Sequence, residues 1–160
     1  MPKLHKYLIA IVSALLMASG TGFTQEKKVV RVLVWDEQQP EQKKAYGDTF
    51  LGGTIAAHLS SHSDLKVKSV SLSLPGQGLD AATLDATDVL IWWGHVKHKE
   101  VKAEHVEAVV KRVRDGKLKL IALHSAHFSL PFMRLMDERA KADAPMMIPK
   151  AERAGAKIDL

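Results

Sequence analysis

The stretch "VVRVLVW", Val29 to Trp35, is almost continuously apolar and rich in β-branched residues. This composition predicts a strand that is covered on both faces, as in a parallel sheet. The stretches "DVLIWWG", 88–94, and "LKLIALHS", 118–125, have the same character, whereas "VKSVSL", 67–72, alternates and indicates a strand nearer an edge. We therefore predict a sheet built from these strands.

Helical patterns lie between the predicted strands. The clearest is "EVKAEHVEAVVKRVRDG", 100–116, whose valines form one apolar stripe and whose Gly116 stands where a C-terminal cap is expected. Asp48 and Asp80 are expected to cap two earlier helices, and "FSLPFMRLMDERAK", 128–141, is predicted to be a further helix. This alternation of strands and helices predicts an α/β fold with a doubly wound parallel sheet.

The chain has 160 residues, enough for one domain with a core of its own. Its formal net charge is +5, but Lys3 and Lys6 supply two of these charges and the other Lys and Glu residues are interleaved. The basic balance therefore indicates a solvated surface, and no nucleic acid is expected as a partner. Because the chain has no cysteine, no disulfide is expected.

The N-terminal segment, 1–24, has the pattern of a secretory signal peptide. Lys3 and Lys6 precede the apolar run "YLIAIVSALLMA", 7–18, and the small residues "ASGTG" follow it. The run is shorter than the roughly 20 residues that span a bilayer, so no stable membrane insertion is expected after cleavage. An uncleaved anchor is the alternative. In either case the domain is predicted to be exported, as a periplasmic or secreted protein.

Polar and ionisable residues directly follow three of the predicted strands. They are Asp36 and Glu37 after the first strand, Gly94, His95 and His98 after the third, and His124, Ser125 and His127 after the fourth. Ligands of open parallel sheets bind at the carboxyl ends of the strands, so these residues are expected to meet. Imidazole and carboxylate groups are ligands of Zn²⁺ and similar ions. One such motif alone is more often structural, but their convergence predicts a metal site, with or without a separate general base.

Ser125 raises a second interpretation, because a hydroxyl on a strand-to-helix turn is the geometry of a hydrolase nucleophile. Its neighbours Leu123 and His127 stand where G-x-S-x-G has glycines, which disfavours this interpretation. Trp92 and Trp93 are consecutive and point to opposite faces of their strand, so at most one of them can line the site.

Three stretches closely resemble the ThuA-like (trehalose utilisation) proteins: "VRVLVWDE", "LDATDVLIWWGHVKHKEV" and "LIALHSAHFSLPFMRLM". The resemblance covers 29–136 and implies a flavodoxin-like fold of the class I glutamine amidotransferase-like superfamily. In that superfamily the "LHS" turn occupies the place of the cysteine nucleophile of true amidotransferases. The lack of cysteine in this chain therefore implies that it is not a glutaminase.

The resemblance also implies a metal-dependent enzyme of trehalose or keto-disaccharide metabolism. The implied reaction is the isomerisation, elimination or hydrolysis of an oxidised sugar. The implied partner is a small-molecule carbohydrate, and the implied cofactor is a divalent metal ion such as Zn²⁺. Carried over to this chain, the implied residues are Glu37, His98 and Ser125 for catalysis, His95, His124 and His127 for the metal, and Trp93 and Tyr46 for the substrate.

The alternative is a non-catalytic carbohydrate-binding or degenerate member of the family. It is favoured by "AYGDTFLGG", 45–53, which keeps Tyr46 but has no histidine where family members have one. We also expect a sheet that is truncated on its C-terminal side, followed by an irregular tail over 137–160. A truncated sheet leaves an exposed edge. Three interpretations follow: the chain is a fragment, it pairs with a second chain that completes the sheet, or it forms a homo-oligomer through this edge.

Overall fold

The computed structural model describes residues 28–157, and the predicted signal peptide lies outside the described residues. The strands of this part are β1 Val30–Asp36, β2 Leu65–Ser71, β3 Val89–Trp93 and β4 Lys119–Ala122. The α-helices are α1 Lys43–Tyr46, α2 Phe50–Leu59, α3 Ala81–Asp85, α4 Ala103–Arg114 and α5 Leu130–Asp143. Short 3-10 turns join several of these elements.

The described strands form one parallel sheet in the order β2-β1-β3-β4. Trp35 of β1 is paired with Val70 of β2 on one side and with Trp92 of β3 on the other. The predicted α/β architecture with a parallel sheet is therefore confirmed, and so is the position of β2 at an edge. The chain moves outward from β1 to β2 and then crosses back to β3, so the winding direction reverses between β1 and β3.

Apolar side chains cover both faces of the sheet. On one face the rings of Trp35 and Trp92 stack with centroids 4.0 Å apart, and α4 packs over this face through Val106, Val109 and Val110. On the other face α2 covers the inner strands through Ala56 and the residues around it. Each fully buried aliphatic side chain contributes about 1.5 to 3 kcal/mol, so α4 is a main source of stability.

Two of the three predicted helix caps are confirmed. Gly116 follows α4 with φ of 68°, and the Asp80 carboxylate accepts a hydrogen bond of 3.0 Å from the Thr83 amide at the start of α3. The prediction for Asp48 is wrong. Residues Gly47–Thr49 form a 3-10 turn, so Thr49 occupies the N-cap position of α2, and the Asp48 carboxylate instead lies 2.9 Å from Lys43 Nζ.

Helix α5 continues beyond Met136 to Asp143, so the first part of the predicted irregular tail is helical. Ion pairs four residues apart support this extension: Arg134 with Glu138, Asp137 with Lys141, and Arg139 with Asp143. Beyond Asp143 the described residues contain only short 3-10 turns. Among the described residues there is no helix with the length and apolar character needed to cross a membrane.

Strand β4 lies at the other edge of the sheet, where Ile121 is 47% exposed. An edge strand with an exposed apolar side chain is suited to pairing with another strand. The predicted homo-oligomer through this edge stays a prediction.

Candidate functional site

The carboxyl ends of β1 and β3 lie side by side where the winding of the sheet reverses, and β4 ends next to them. This is the position at which open α/β sheets bind ligands. Contacts between the loops bring Glu37, His95, His98 and Ser125 together at this edge. His127 is linked to the same group through Phe128, whose ring centroid lies 4.2 Å from that of His127 and 6.5 Å from that of His98.

Glu37 holds the loop after β3 in place. The residue is 2% exposed, and its carboxylate accepts hydrogen bonds of 3.0 Å from the backbone amides of Val96 and Lys97, and a further one from the Gln39 side chain. Burial alone would raise the pKa of Glu37, but the hydrogen bonds from Gln39 and the loop amides outweigh it and lower the pKa below its ordinary value. Glu37 is therefore ionised at neutral pH and bound to its own chain.

Gly94 leaves room for Glu37. A Cβ atom at position 94 would lie 3.0 Å from Glu37 Oε2, a tight contact, and 3.4 Å from two atoms of the His98 ring, so a larger residue would crowd the Glu37 carboxylate. Both ring nitrogens of His98 are buried and lack a hydrogen-bond partner among the described residues. Burial lowers the pKa of His98, and the charge of Glu37 offsets this only in part. The lowered pKa favours the neutral form of the His98 imidazole at neutral pH.

His95 and Ser125 connect the loops after β3 and β4. The Nδ1 atom of His95 lies 2.6 Å from the Oγ atom of Ser125, a short hydrogen bond between a base and a hydroxyl. His95 is exposed and Ser125 is partly buried. The His124–Ser125 peptide bond is cis. A hydroxyl that is bonded to an imidazole can pass its proton to that ring, as in Ser–His enzymes.

His124 and His127 lie on the outer side of this arrangement. Their ring centroids are 5.8 Å apart, and both residues line a groove of about 430 Å³ with Ala122, Leu123 and Phe132. His95 does not line this groove. Within the part of the chain that the structure describes, no three His, Asp or Glu side chains converge as a metal site requires. The metal site predicted at His95, His124 and His127 stays a prediction.

The two residues expected to bind substrate differ in their positions. Tyr46 is 39% exposed at the end of α1, and its described hydrogen bond is one that its carbonyl accepts from Thr49. Trp93 is partly buried at the end of β3. Trp92 belongs to the core, where it stacks on Trp35, so the expectation that at most one of the two tryptophans lines the site holds.

Asp36 has a structural role that the sequence did not reveal. It is 1% exposed, and its two carboxylate oxygens accept hydrogen bonds from the amides of Gln38, at 2.7 Å, and Gly52, at 2.6 Å. Burial raises the pKa of Asp36 despite these bonds. The carboxylate ties the end of β1 to the first turn of α2. An aspartate at the end of an almost continuously apolar strand was the available signal.

A cavity beside Glu37 was also missed. It has a volume of about 290 Å³ and lies between the loops that follow β1, β2 and β3. Its lining consists of Glu37, Gln38, Phe50, Leu72, Ser73, Gln77, Lys97 and Glu100. Of its lining residues, Glu37 was identified from the sequence.

No protein-family model matches this chain, and no curated protein matches it significantly. The resemblance to the ThuA-like proteins therefore stays a prediction from the sequence motifs.

Proposed function

We propose that this chain is a ThuA-like domain with a flavodoxin-like fold that carries out acid–base chemistry on a carbohydrate. The observation that carries this proposal is the 2.6 Å contact between His95 Nδ1 and Ser125 Oγ. The contact pairs a base with a hydroxyl at the edge of the sheet where ligands of this architecture bind. The carbohydrate substrate, a trehalose-like or keto-disaccharide, follows from the resemblance of the motifs.

In this proposal the Ser125 hydroxyl and the His95 ring act as one proton-transfer unit. With Nδ1 unprotonated, His95 accepts the Ser125 proton while Ser125 Oγ takes a proton from a sugar hydroxyl. Because His95 is exposed, its ring can then exchange the proton with water. Isomerisation, elimination and hydrolysis of an oxidised sugar each need a base that takes a proton, from a carbon, a hydroxyl or a water, so the reaction is proposed at the level of general base catalysis.

His98 is proposed to bind and polarise the substrate. Its neutral ring offers one donor and one acceptor in a buried position, where an unsatisfied polar group costs free energy until a ligand or water pairs with it. Glu37 acts through the loop: its carboxylate fixes the amides of Val96 and Lys97 and thereby the position of His95. It is a positioning residue in this proposal, although the sequence suggested a catalytic one.

The proposed proton transfer involves only the substrate, Ser125 and His95. The metal site of His95, His124 and His127 stays a prediction from the sequence.

A second candidate is carbohydrate binding without catalysis. Phe128 is 59% exposed and packs on the His127 ring. The exposed Phe128 ring forms an apolar platform of the kind on which sugar rings stack. Export of the domain stays part of either proposal, and it rests on residues outside the described part.

The two candidates differ in what a His95→Ala substitution does. If the protein is an enzyme, the variant loses turnover of a keto-disaccharide at least a hundredfold and still binds the sugar. If the wild-type protein binds the sugar but does not convert it at any pH, the catalytic proposal fails and the binding candidate stands.

A further inference from the structure

The cavity beside Glu37 has walls contributed by separate parts of the chain. Gln38 belongs to the loop after β1, Phe50 begins α2, and Ser73 follows β2. Gln77 comes from the "PGQG" loop, while Lys97 comes from the loop after β3. A cavity that five segments build together at the ligand-binding edge is a candidate subsite.

The backbone around this cavity is strained in a way seen nowhere else in the described residues. Among them, three residues other than glycine have positive φ: Gln38 at 54°, Phe50 at 54° and Gln77 at 53°. All three line this one cavity. Phe50 combines its φ with a ψ of −175°, a region that is otherwise populated by glycine. Strain of this kind persists where the surrounding structure enforces it, and it clusters at ligand sites.

Gln77 makes one wall of the cavity rigid. Its side-chain amide donates to the Glu100 carbonyl at 2.8 Å and accepts from the Lys102 amide at 2.9 Å. Its own carbonyl accepts a hydrogen bond of 2.8 Å from the indole of Trp35 in the core. The wall is therefore formed before any ligand arrives, which lowers the entropy that binding must overcome.

The chemistry of the lining suits a neutral polyol. Ser73 offers a hydroxyl, Gln38 offers an amide, and Lys97 offers an ammonium group, while the Phe50 ring provides an apolar face. The two carboxylates, Glu37 and Glu100, outnumber the single lysine, so the lining disfavours an anionic ligand. A volume of about 290 Å³ is at the lower end of the range of small-molecule sites and suits one sugar ring.

We propose that this cavity is a subsite that binds one neutral sugar unit, at the same edge of the sheet as the His95–Ser125 pair. The identity of the ligand as a sugar rests on the proposed function. The existence of the subsite rests on the cavity, its strained backbone and its fixed wall.

The test is to fill the cavity and measure sugar binding by titration calorimetry. Ser73→Trp and, as a second variant at an exposed wall residue, Glu100→Trp place an indole in the cavity. Ser63→Trp makes the matched change at an exposed serine near the opposite edge of the sheet, before β2. The probes are methyl α-glucoside, trehalose and glucose 6-phosphate, and thermal unfolding checks that each variant folds.

The subsite predicts that wild type and Ser63→Trp bind methyl α-glucoside and trehalose equally. It also predicts that both cavity variants bind them at least tenfold more weakly, and that glucose 6-phosphate binds wild type more weakly than the neutral sugars. Equal binding by all three variants overturns the proposal, as does a wild-type protein that binds neither neutral sugar.

The outcomes separate this subsite from the proposed function. Turnover that is unchanged in folded Ser73→Trp leaves the function standing and overturns the subsite. The opposite outcome is a wild-type protein that binds the sugar without converting it and a Ser73→Trp variant that does not bind it. That outcome supports the subsite and overturns the catalytic function.

Discussion

The Nδ1 atom of His95 lies 2.6 Å from the Oγ atom of Ser125, although the two residues follow different strands. The loop that carries His95 is held by a buried carboxylate, Glu37, which is contributed by a third strand end. Each of the three strand ends thus contributes one part: an anchor, a base and a hydroxyl. Testable consequences follow for each part.

Replacing Glu37 by Gln is expected to lower the free energy of unfolding by about 2 kcal/mol, because an amide group would turn a donor toward backbone amides that now donate to a carboxylate. Urea unfolding measures the change. The control is Glu41→Gln, which makes the same substitution at an exposed position. Equal stability of the two variants would show that Glu37 does not hold the loop.

Asp88 links the start of β3 to Arg31 at the start of β1. Its carboxylate accepts from the Arg31 amide, Nε and Nη2 at 2.9, 3.0 and 2.7 Å, and hydrogen bonding to Arg31 holds the pKa of Asp88 well below its usual range. A lowered pKa stabilises the fold above the ordinary range of aspartate, and this stabilisation is lost as the pH falls through the folded pKa.

Asp88→Asn is therefore expected to lower the free energy of unfolding by about 1 to 2 kcal/mol at neutral pH. The value is modest because Arg31 is partly exposed to solvent. In acid the substitution should lower the free energy of unfolding much less. The stability of the variant should therefore depend less on pH than that of wild type. Urea unfolding at several pH values gives this dependence, and parallel curves for the two proteins would speak against the linkage.

Gln38→Gly should leave the protein as stable as wild type or raise its free energy of unfolding by up to about 1 kcal/mol, because glycine adopts a φ of 54° without strain. Glu107→Gly, at an exposed position inside α4, should instead destabilise by about 0.5 to 1 kcal/mol. Thermal unfolding compares the two variants. A loss in Gln38→Gly as large as in Glu107→Gly would mean that position 38 is unstrained.

The placement of the histidines predicts that the protein dialysed against Zn²⁺ retains less than one ion per chain, measured by elemental analysis. His124→Ala combined with His127→Ala should leave that content unchanged. A stoichiometric ion that disappears in this double variant would instead restore the metal site predicted from the sequence.

Strong local patterns made much of the fold predictable. The apolar runs around Trp35 and Trp92 predicted buried strands, the valine stripe that includes Val109 predicted α4, and Gly116 predicted its end. The rule that ligands bind at strand ends then identified Glu37, His95 and Ser125 as neighbours. Periodicity carries this information because it depends on residues close together in the chain.

The roles of the same residues were less predictable. The partners of Glu37 are amides 59 and 60 positions away, and no local pattern encodes them. The error at Asp48 has a similar origin, since a 3-10 turn moved the start of α2 by one residue. The strained backbone at Phe50 and Gln77 depends on the cavity that forms only after the loops have met.

The central claim is that His95 and Ser125 act as one unit on a sugar, and a double-mutant cycle in kcat/KM for a keto-disaccharide tests it most directly. His95→Ala and Ser125→Ala should each reduce kcat/KM about a hundredfold or more. The kcat/KM of the double variant should equal that of the less active single variant. Losses that multiply in the double variant, or a Ser125→Ala protein as active as wild type, would contradict the account.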